Sequence, residues 1–572
     1  MYNTTKLNFN CVNDSVNKKY FSLILLVFFF VLFVDNYSNA QTTIGLTQHD
    51  AGTLDNGYVL FAPISSTNTY LIDKCGKQVK KWSSTYKPGQ SAYLLPDGTL
   101  FRTANVNNTT FVAGGQGGKV EMIDWNSNVT WSYTFSDATK CQHHDAKVLP
   151  NGNVLIIAWE LKTNSEAIAE GRNPLLVGST VWSEQILEIT PEGTNGGKVV
   201  WEWHLWDHLA QDFDATKPNY AEISSNPQLL NLNYAAKSTV ADWIHLNSID
   251  YNPTLDQIML SSHNTNEIWI VDHSTTTAEA AGHSSGNSGK GGDFLYRWGN
   301  PHAYNNGSAA DKKFFGQHNA HWIEPGLPFE NQIMVFNNGV ARPAGNYSTV
   351  EIINPPVNGF VYTATLPYLP ASNSWIYNAG NPNNFYSMNI SGAQQLSNGN
   401  VLTCAGDNGT FYEVDNTGKT IWKYVNPVKT TGIINQNTAP TQNMVFRCVY
   451  YPADYNGFAG HTLTAGSIIE NSNSVSDACS LTLSNSENLM PENSIQIYPN
   501  PASQFMNIDM DENLDTAIKI EVLGISGRVI HTHLKSDNSN HYMIDVSNYP
   551  KGLYFVNILS NKISLSRKIV IE

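Results

Sequence analysis

Between Asp242 and Arg342 the chain gathers side chains able to bind and move charge. The stretch opens with Asp242-Trp243-Ile244-His245, crosses a Gly/Ser/Thr-rich segment to Arg297-Trp298-Gly299, and closes with Gln317-His318-Asn319-Ala320-His321 and Asn337-Asn338-Gly339-Val340-Ala341-Arg342. Histidines directly before apolar strands, with an arginine just past a strand end, suit a site that holds an anionic oxyacid ester and transfers a proton. Eleven of the 16 histidines fall between His143 and His321. His143-His144-Asp145, His245 and His318 each occupy the same phase of a local repeat. Two plainer readings stand beside the chemical one: a polar ring that only binds backbone and water, or a zinc site built of imidazoles alone. Asp145 is the one converging carboxylate, which weighs against zinc, and no metal or other cofactor is expected. His263 and His273 are read as loop or surface residues without a role.

The repeat that places these residues runs from Gly57 to about Gly466. An apolar strand ends in a tight turn, Leu95-Pro96-Asp97-Gly98, Leu149-Pro150-Asn151-Gly152 or Leu396-Ser397-Asn398-Gly399, and a second strand follows. Asp-Gly and Asn-Gly are read here as two-residue hairpin turns needing positive φ. An aspartate step then leads to a tryptophan-bearing strand: Asp73 to Trp82, Asp124 to Trp131, Asp415 to Trp422, and more loosely Asp272 to Trp298. Four short strands per unit, in five to seven units, predict an all-β protein built as a β-propeller. The histidines then start innermost strands and converge on the central channel. Two insertions interrupt the rhythm. Glu202 to Ala241 looks locally helical, His273 to Gly292 is mostly small and polar, and both are expected on the face that carries the site.

Composition agrees with an exported β protein. The 572 residues include 27 Tyr, 14 Trp and 41 Gly, with only 14% charged. A formal net charge of −15 removes the electrostatic footprint of a nucleic-acid binder. Residues 1–40 read as a signal peptide, with Lys18-Lys19, an apolar run from Tyr20 to Val34, and Ser38-Asn39-Ala40 before the cut. No membrane span is expected in the mature chain. That chain keeps five cysteines, an odd number without a CxxC pair. Cys404 and Cys448 could pair or serve as small buried apolar residues.

Residues 41–470 form the expected propeller, 471–493 a polar linker and 494–572 a small β-sandwich. Within the last segment, Tyr498-Pro499-Asn500-Pro501, Gly524-Ile525-Ser526-Gly527-Arg528 and Tyr549-Pro550-Lys551-Gly552-Leu553-Tyr554-Phe555 closely resemble the sorting domain of the type IX secretion system. The resemblance implies passage through the outer membrane by that machinery, to a secreted or cell-surface location.

The central stretch carries a second resemblance. Asp242-Trp243-Ile244-His245, Gln317-His318 ahead of Trp322, and Phe336-Asn337-Asn338-Gly339 leading to Arg342 resemble the bacterial arylsulfate sulfotransferases. These are six-bladed propellers that move a sulfuryl group from an aryl sulfate to a phenol without a nucleotide donor. The resemblance implies that His245 and His318 are active-site histidines and that Arg342 binds the sulfate. It breaks at the family's nucleophilic histidine: none lies between His321 and His461, and the corresponding blade reads Gly406-Asp407-Asn408-Gly409. His144 is the substitute candidate, or the nucleophile is absent and transfer is direct. A non-catalytic propeller that binds a sulfated or phenolic ligand is the other reading.

Overall fold

The turn motifs show how sequence sets the blades. In the computed structural model Gly98 donates its N–H to the carbonyl of Leu95 and Leu95 to that of Thr99, and the Asp97 carboxylate accepts from Thr99 N. Only the glycine takes positive φ: Gly98 at 84°, Gly152 at 84° and Gly399 at 91°. These are longer turns that end on a left-handed glycine, not the two-residue turns expected. The physical reason is that the left-handed region is open to glycine, whereas Asp97, Asn151 and Asn398 keep negative φ; Pro96 and Pro150 suit the first corner of such a turn, and Ser397 takes that place in the third.

Six four-stranded antiparallel units follow one another, each next to the last. Their inner strands are Pro88–Leu94 (blade two), Lys140–Val148 (three), Leu246–Asn252 (four), His318–Trp322 (five), Gly392–Gln395 (six) and, closing the ring, Val445–Pro452, which pairs with Gly57–Pro63 in blade one. Each inner strand packs against its neighbours around the axis. Gly45–His49 adds a fifth strand outside blade six. The outer strands carry the expected tryptophans, and Trp82, Trp131, Trp298 and Trp422 are all buried between blades. Because both faces of a blade are covered, central strands such as Gln257–Ser262 and Glu267–Asp272 are buried at every residue. Truncating one of these tryptophans to alanine is worth about 3–5 kcal/mol of stability.

The structure describes residues 43–234, 240–363, 365–379, 385–471, 479, 495–510, 519–524, 529–534, 540–559 and 564–572. The expected signal peptide, most of the linker and the tip of the Gly524–Arg528 hairpin lie outside them. In the tail, Ile495–Tyr498, Phe505–Met510 and His541–Asp545 form one sheet. Lys519–Gly524, Val529–Leu534, Gly552–Leu559 and Ser564–Ile571 form the other. Met506, Ile508, Val522, Val556 and Ile569 lie in the core between them.

The insertions differ from expectation. The first is mostly irregular, with single 3-10 turns at Leu205–Asp207 and Ile223–Ser225 in place of a helix. The second leaves from the end of blade four opposite to its histidines, since it joins the third and fourth strands. It packs along the outer strand of blade three, where Thr275 Oγ1 accepts from Trp201 Nε1 and Thr277 Oγ1 from Glu202 N. A disulfide joins Cys75 to Cys479. Cys404 and Cys448 are buried thiols, so their apolar reading is the one realised.

Candidate active site

The inner strands are irregular at one level of the channel. Pairing slips between Pro88 and Ala92, opposite residues 143–145, between Leu246 and Ser248, and between His318 and His321. At or beside these bulges sit non-glycine residues with positive φ: Gln90 at 124°, His144 at 49°, His245 at 58° and Asn319 at 53°, with Ile390 at 48° ahead of blade six. Such strain costs on the order of 1–3 kcal/mol per residue and persists where the surroundings over-determine it. Here it turns side chains into the channel mouth. Gly115 makes room for one of them, because a Cβ there would lie 1.8 Å from His144 Cε1.

Four imidazoles form a chain across that mouth. Ring centroids are 4.6 Å apart for His144 and His245, 5.3 Å for His245 and His263, and 5.5 Å for His263 and His318. Behind them, Glu184 Oε2 lies 2.8 Å from His143 Nε2, and His143 Nδ1 lies 2.8 Å from His144 Nδ1. Burial pushes His143 down to about 3. Burial, and then the neighbouring rings, hold His144 well below the ordinary imidazole value. Two neutral rings on this wire admit two patterns. With Glu184 ionised, His143 donates from Nε2, His144 donates from Nδ1, and His144 Nε2 carries a bare lone pair. With Glu184 protonated every donor reverses and His144 Nε2 carries the proton. Burial raises Glu184 well above the carboxylate range, opposed by the hydrogen bond from Leu246 N, so the wire can take up a proton at Glu184.

His245 and His318 have different partners. His245 Nδ1 is 2.6 Å from Asp242 Oδ2. Burial would raise that carboxyl, and the His245 ring outweighs it and holds Asp242 below its usual range. Asn338 is fixed by donating Nδ2 to the carbonyls of Ser387 and Ile390, so its Oδ1 accepts from His318 Nδ1 at 2.8 Å. Burial, then His263, keeps His318 well below its ordinary value. A neutral ring that donates from Nδ1 has its lone pair on Nε2. A pocket of about 400 Å³ adjoins His245 and His263, walled by Trp182, Val112, Ala113 and Val240.

Below the histidines, Arg447 Nη1 donates to Tyr93 Oη at 2.5 Å and to Asp145 Oδ2 at 2.8 Å, while Tyr93 Oη donates to Asp145 Oδ1. This layer floors the mouth. Beyond it a larger chamber of about 600 Å³ opens toward the opposite face, lined by Ile249, His321, Trp322, Tyr451 and Tyr455 among others.

A family model described as arylsulfotransferase (ASST) matches residues 46–451, most of the chain. The chain belongs to the arylsulfotransferase family. A second model, the secretion system C-terminal sorting domain, matches residues 496–572 and marks this arylsulfotransferase-family chain for secretion and the cell surface. No curated protein matches it by sequence. Solved structures resemble it distantly. A protein of unknown function from Bacteroides caccae is 10% identical, covering 69% of this chain and 98% of its own, at a TM-score of 0.37. The periplasmic gluconolactonase of Pseudomonas aeruginosa is 10% identical, covering 85% and 99%, at 0.35. Streptogramin B lyase is 9% identical, covering 73% and 95%, at 0.32. Likenesses at this level say nothing of substrate. Among the described residues no helix is long and apolar enough to cross a membrane.

Of the residues singled out in sequence, His144, His245 and His318 meet at the mouth, linked by His263, which was expected to have no role. Arg342 does not touch them. It stands on the loop after the second strand of blade five, as His263 does in blade four. Its Nε donates to Tyr347 O and its Nη2 to Thr349 Oγ1, with Glu351 at 3.6 Å and Phe315 and Tyr347 stacked on it. Sequence reasoning also missed Glu184, on the third strand of blade three, and Arg447. His263 had a usable signal: hairpin pairing sets it opposite His245, whose carbonyl accepts its N–H. In blade six, Asp407 accepts from Ser387 Oγ and Met388 N.

Proposed function

We propose that the chain transfers a sulfuryl group from an aryl sulfate to a phenolic acceptor, without a nucleotide donor, through His144. The observation that carries this is the Glu184-His143-His144 wire ending at a strained imidazole among His245, His263 and His318. Sulfuryl transfer asks of the protein in-line positioning, charge on the non-bridging oxygens and proton management. His144 Nε2 attacks sulfur and the S–O(aryl) bond breaks. The leaving aryloxide takes a proton from His245, whose imidazolium is balanced by Asp242. The Nδ1 proton of sulfated His144 moves to His143 as that ring passes its own to Glu184, so no net charge accumulates on the wire. The acceptor phenol then gives its proton to His318 Nε2 and attacks sulfur. The N–S bond breaks, and the wire's proton returns to His144. His318 now holds one proton too many and His245 one too few, and His263 between them completes the cycle. Arg342 is the proposed cation at the rim for the sulfate oxygens, a role that rests on the family resemblance.

The absence of a histidine between His321 and His461 favours a second reading, a propeller that binds an aryl sulfate without reacting. The two separate in one assay: the mature chain is incubated with 4-nitrophenyl sulfate, with and without phenol. Release of nitrophenolate that depends on phenol, with phenyl sulfate formed in equal amount, supports transfer. Binding without release under both conditions overturns it.

A further inference from the structure

The two insertions meet at a cluster whose residues do not line the pocket beside His245 and His263. His208 from the first, with His283 and Asp293 from and just after the second, place one ligand-type atom each within 4.8 Å of the others. Both rings address the same oxygen: His208 Nδ1 lies 2.8 Å and His283 Nδ1 2.7 Å from Asp293 Oδ1. The other face of His208 fixes one of its hydrogens. Its Nε2 is 2.8 Å from the carbonyl of Ala280, which can only accept, so Nε2 carries the hydrogen. His208 Nδ1 then faces the Asp293 carboxylate either as the N–H of an ion pair or as a lone pair, and in the second arrangement a cation between the two atoms takes the place of the hydrogen.

We propose that His208, His283 and Asp293 hold a single Zn²⁺ ion that ties the two insertions together. Two imidazoles and a carboxylate are a borderline donor set that zinc favours, with water completing the tetrahedron. Bonds of about 2.0–2.2 Å set tetrahedral ligand atoms about 3.3 Å apart, so each N···O contact must open by about half an ångström. The glycine-rich loop that carries His283 can supply that movement, since Gly286, Gly289 and Gly291 all have positive φ and the His283 side chain is exposed. The rest of the site is rigid. His208 is fully buried and stacked on Trp203 at 5.6 Å, and Trp203 Nε1 donates to Gly292 O. Gly292 admits the ring, because a Cβ there would lie 2.6 Å from His208 Nε2. An imidazole ligand whose second nitrogen donates to a backbone carbonyl has the outer-shell arrangement that orients metal-binding histidines. The first insertion runs on to Asp242 and His245, so an ion here would steady the approach to the site without touching it.

The full mature chain, stripped with chelator, is titrated with zinc chloride by calorimetry and followed by thermal melting. One zinc per chain, bound with a dissociation constant below about 10 µM, and a rise of several degrees in melting temperature are expected. His283→Ala, at an exposed loop position, should weaken binding at least tenfold and abolish the rise. Asp293→Asn should do the same, and cobalt in place of zinc should show tetrahedral visible absorption that both variants lose. Absence of saturable binding in the parent chain, or binding unchanged in His283→Ala, would overturn the proposal.

Discussion

The two ends of the central channel are built from the same six inner strands and could hardly be less alike. The end beyond Arg447 holds the larger cavity, about 600 Å³ with tyrosine, leucine and valine walls. The histidine end has only about 400 Å³, yet it carries the bulges, the left-handed histidines and the buried Glu184. Cavity size alone favours the end beyond Arg447. Strain and protonation chemistry point to the other, because a fold keeps an unfavourable backbone only where neighbouring contacts hold it.

The sharpest way to break this contrast is Glu184→Gln. With Oε1 still accepting from Leu246 N, the amide nitrogen donates to His143 and locks His144 in the form that carries a proton on Nε2. A wrong-tautomer change of this kind lowers turnover by about 10³- to 10⁴-fold while leaving the fold intact. At the other end, Tyr455→Phe removes one hydrogen bond to Leu94 O and should alter turnover less than about twofold. Equal losses from the two variants would erase the distinction. The same wire sets a pH dependence. Glu184 is raised, so the lone pair on His144 appears only as pH rises past a value above the usual carboxylate range, and turnover should climb with pH through that window.

Next in size is Arg342→Lys. A planar fork fits two sulfate oxygens and an ammonium does not, so aryl sulfate binding or turnover should fall about ten- to a hundredfold with the melting temperature unchanged. Because Tyr347, Thr349 and Glu351 already hold this guanidinium, the opposite result is equally clear. Unaltered affinity with a drop of several degrees would make Arg342 a brace for its loop.

The last effect concerns stability and not turnover. His143 titrates near 3 when folded and near 6.5 when unfolded, and His144 and His318 are shifted the same way. Between those values the unfolded chain binds protons that the folded chain refuses. Stability is therefore lost as pH falls, by up to about 1.4 kcal/mol per pH unit for each such group. Glu184, raised by burial, works in the opposite sense, so the test is made in Glu184→Gln: urea midpoints at pH 7 and pH 5 should differ accordingly, and a flat profile there would mean that the rings are not held neutral.

Much of the architecture was legible because local rules wrote it. The Leu-Pro-Asp-Gly type of turn, the tryptophan in the outer strand and the histidine at the start of an inner strand all act over fewer than about ten residues. What escaped depended on distance. Glu184 reaches His143 over an intervening strand of blade three, 41 residues along the chain, and Cys75 meets Cys479 after 404 residues. Arg447 reaches the channel only because the last propeller strand returns to the first blade. The insertions misled for a related reason: their composition reports solvent exposure, and only the alternation of strand direction says from which face a loop departs.

That returning strand has a temporal consequence. Gly57–Pro63 is made early, yet its partner Val445–Pro452 emerges nearly four hundred residues later. Until then the first blade presents an open edge, ready to pair with any passing strand, including one from another copy. The floor beneath the clustered imidazoles also contains Arg447, so it too is complete only when the ring shuts. A nascent or truncated chain thus lacks a finished channel mouth, which is complete only at closure, just before the sorting segment.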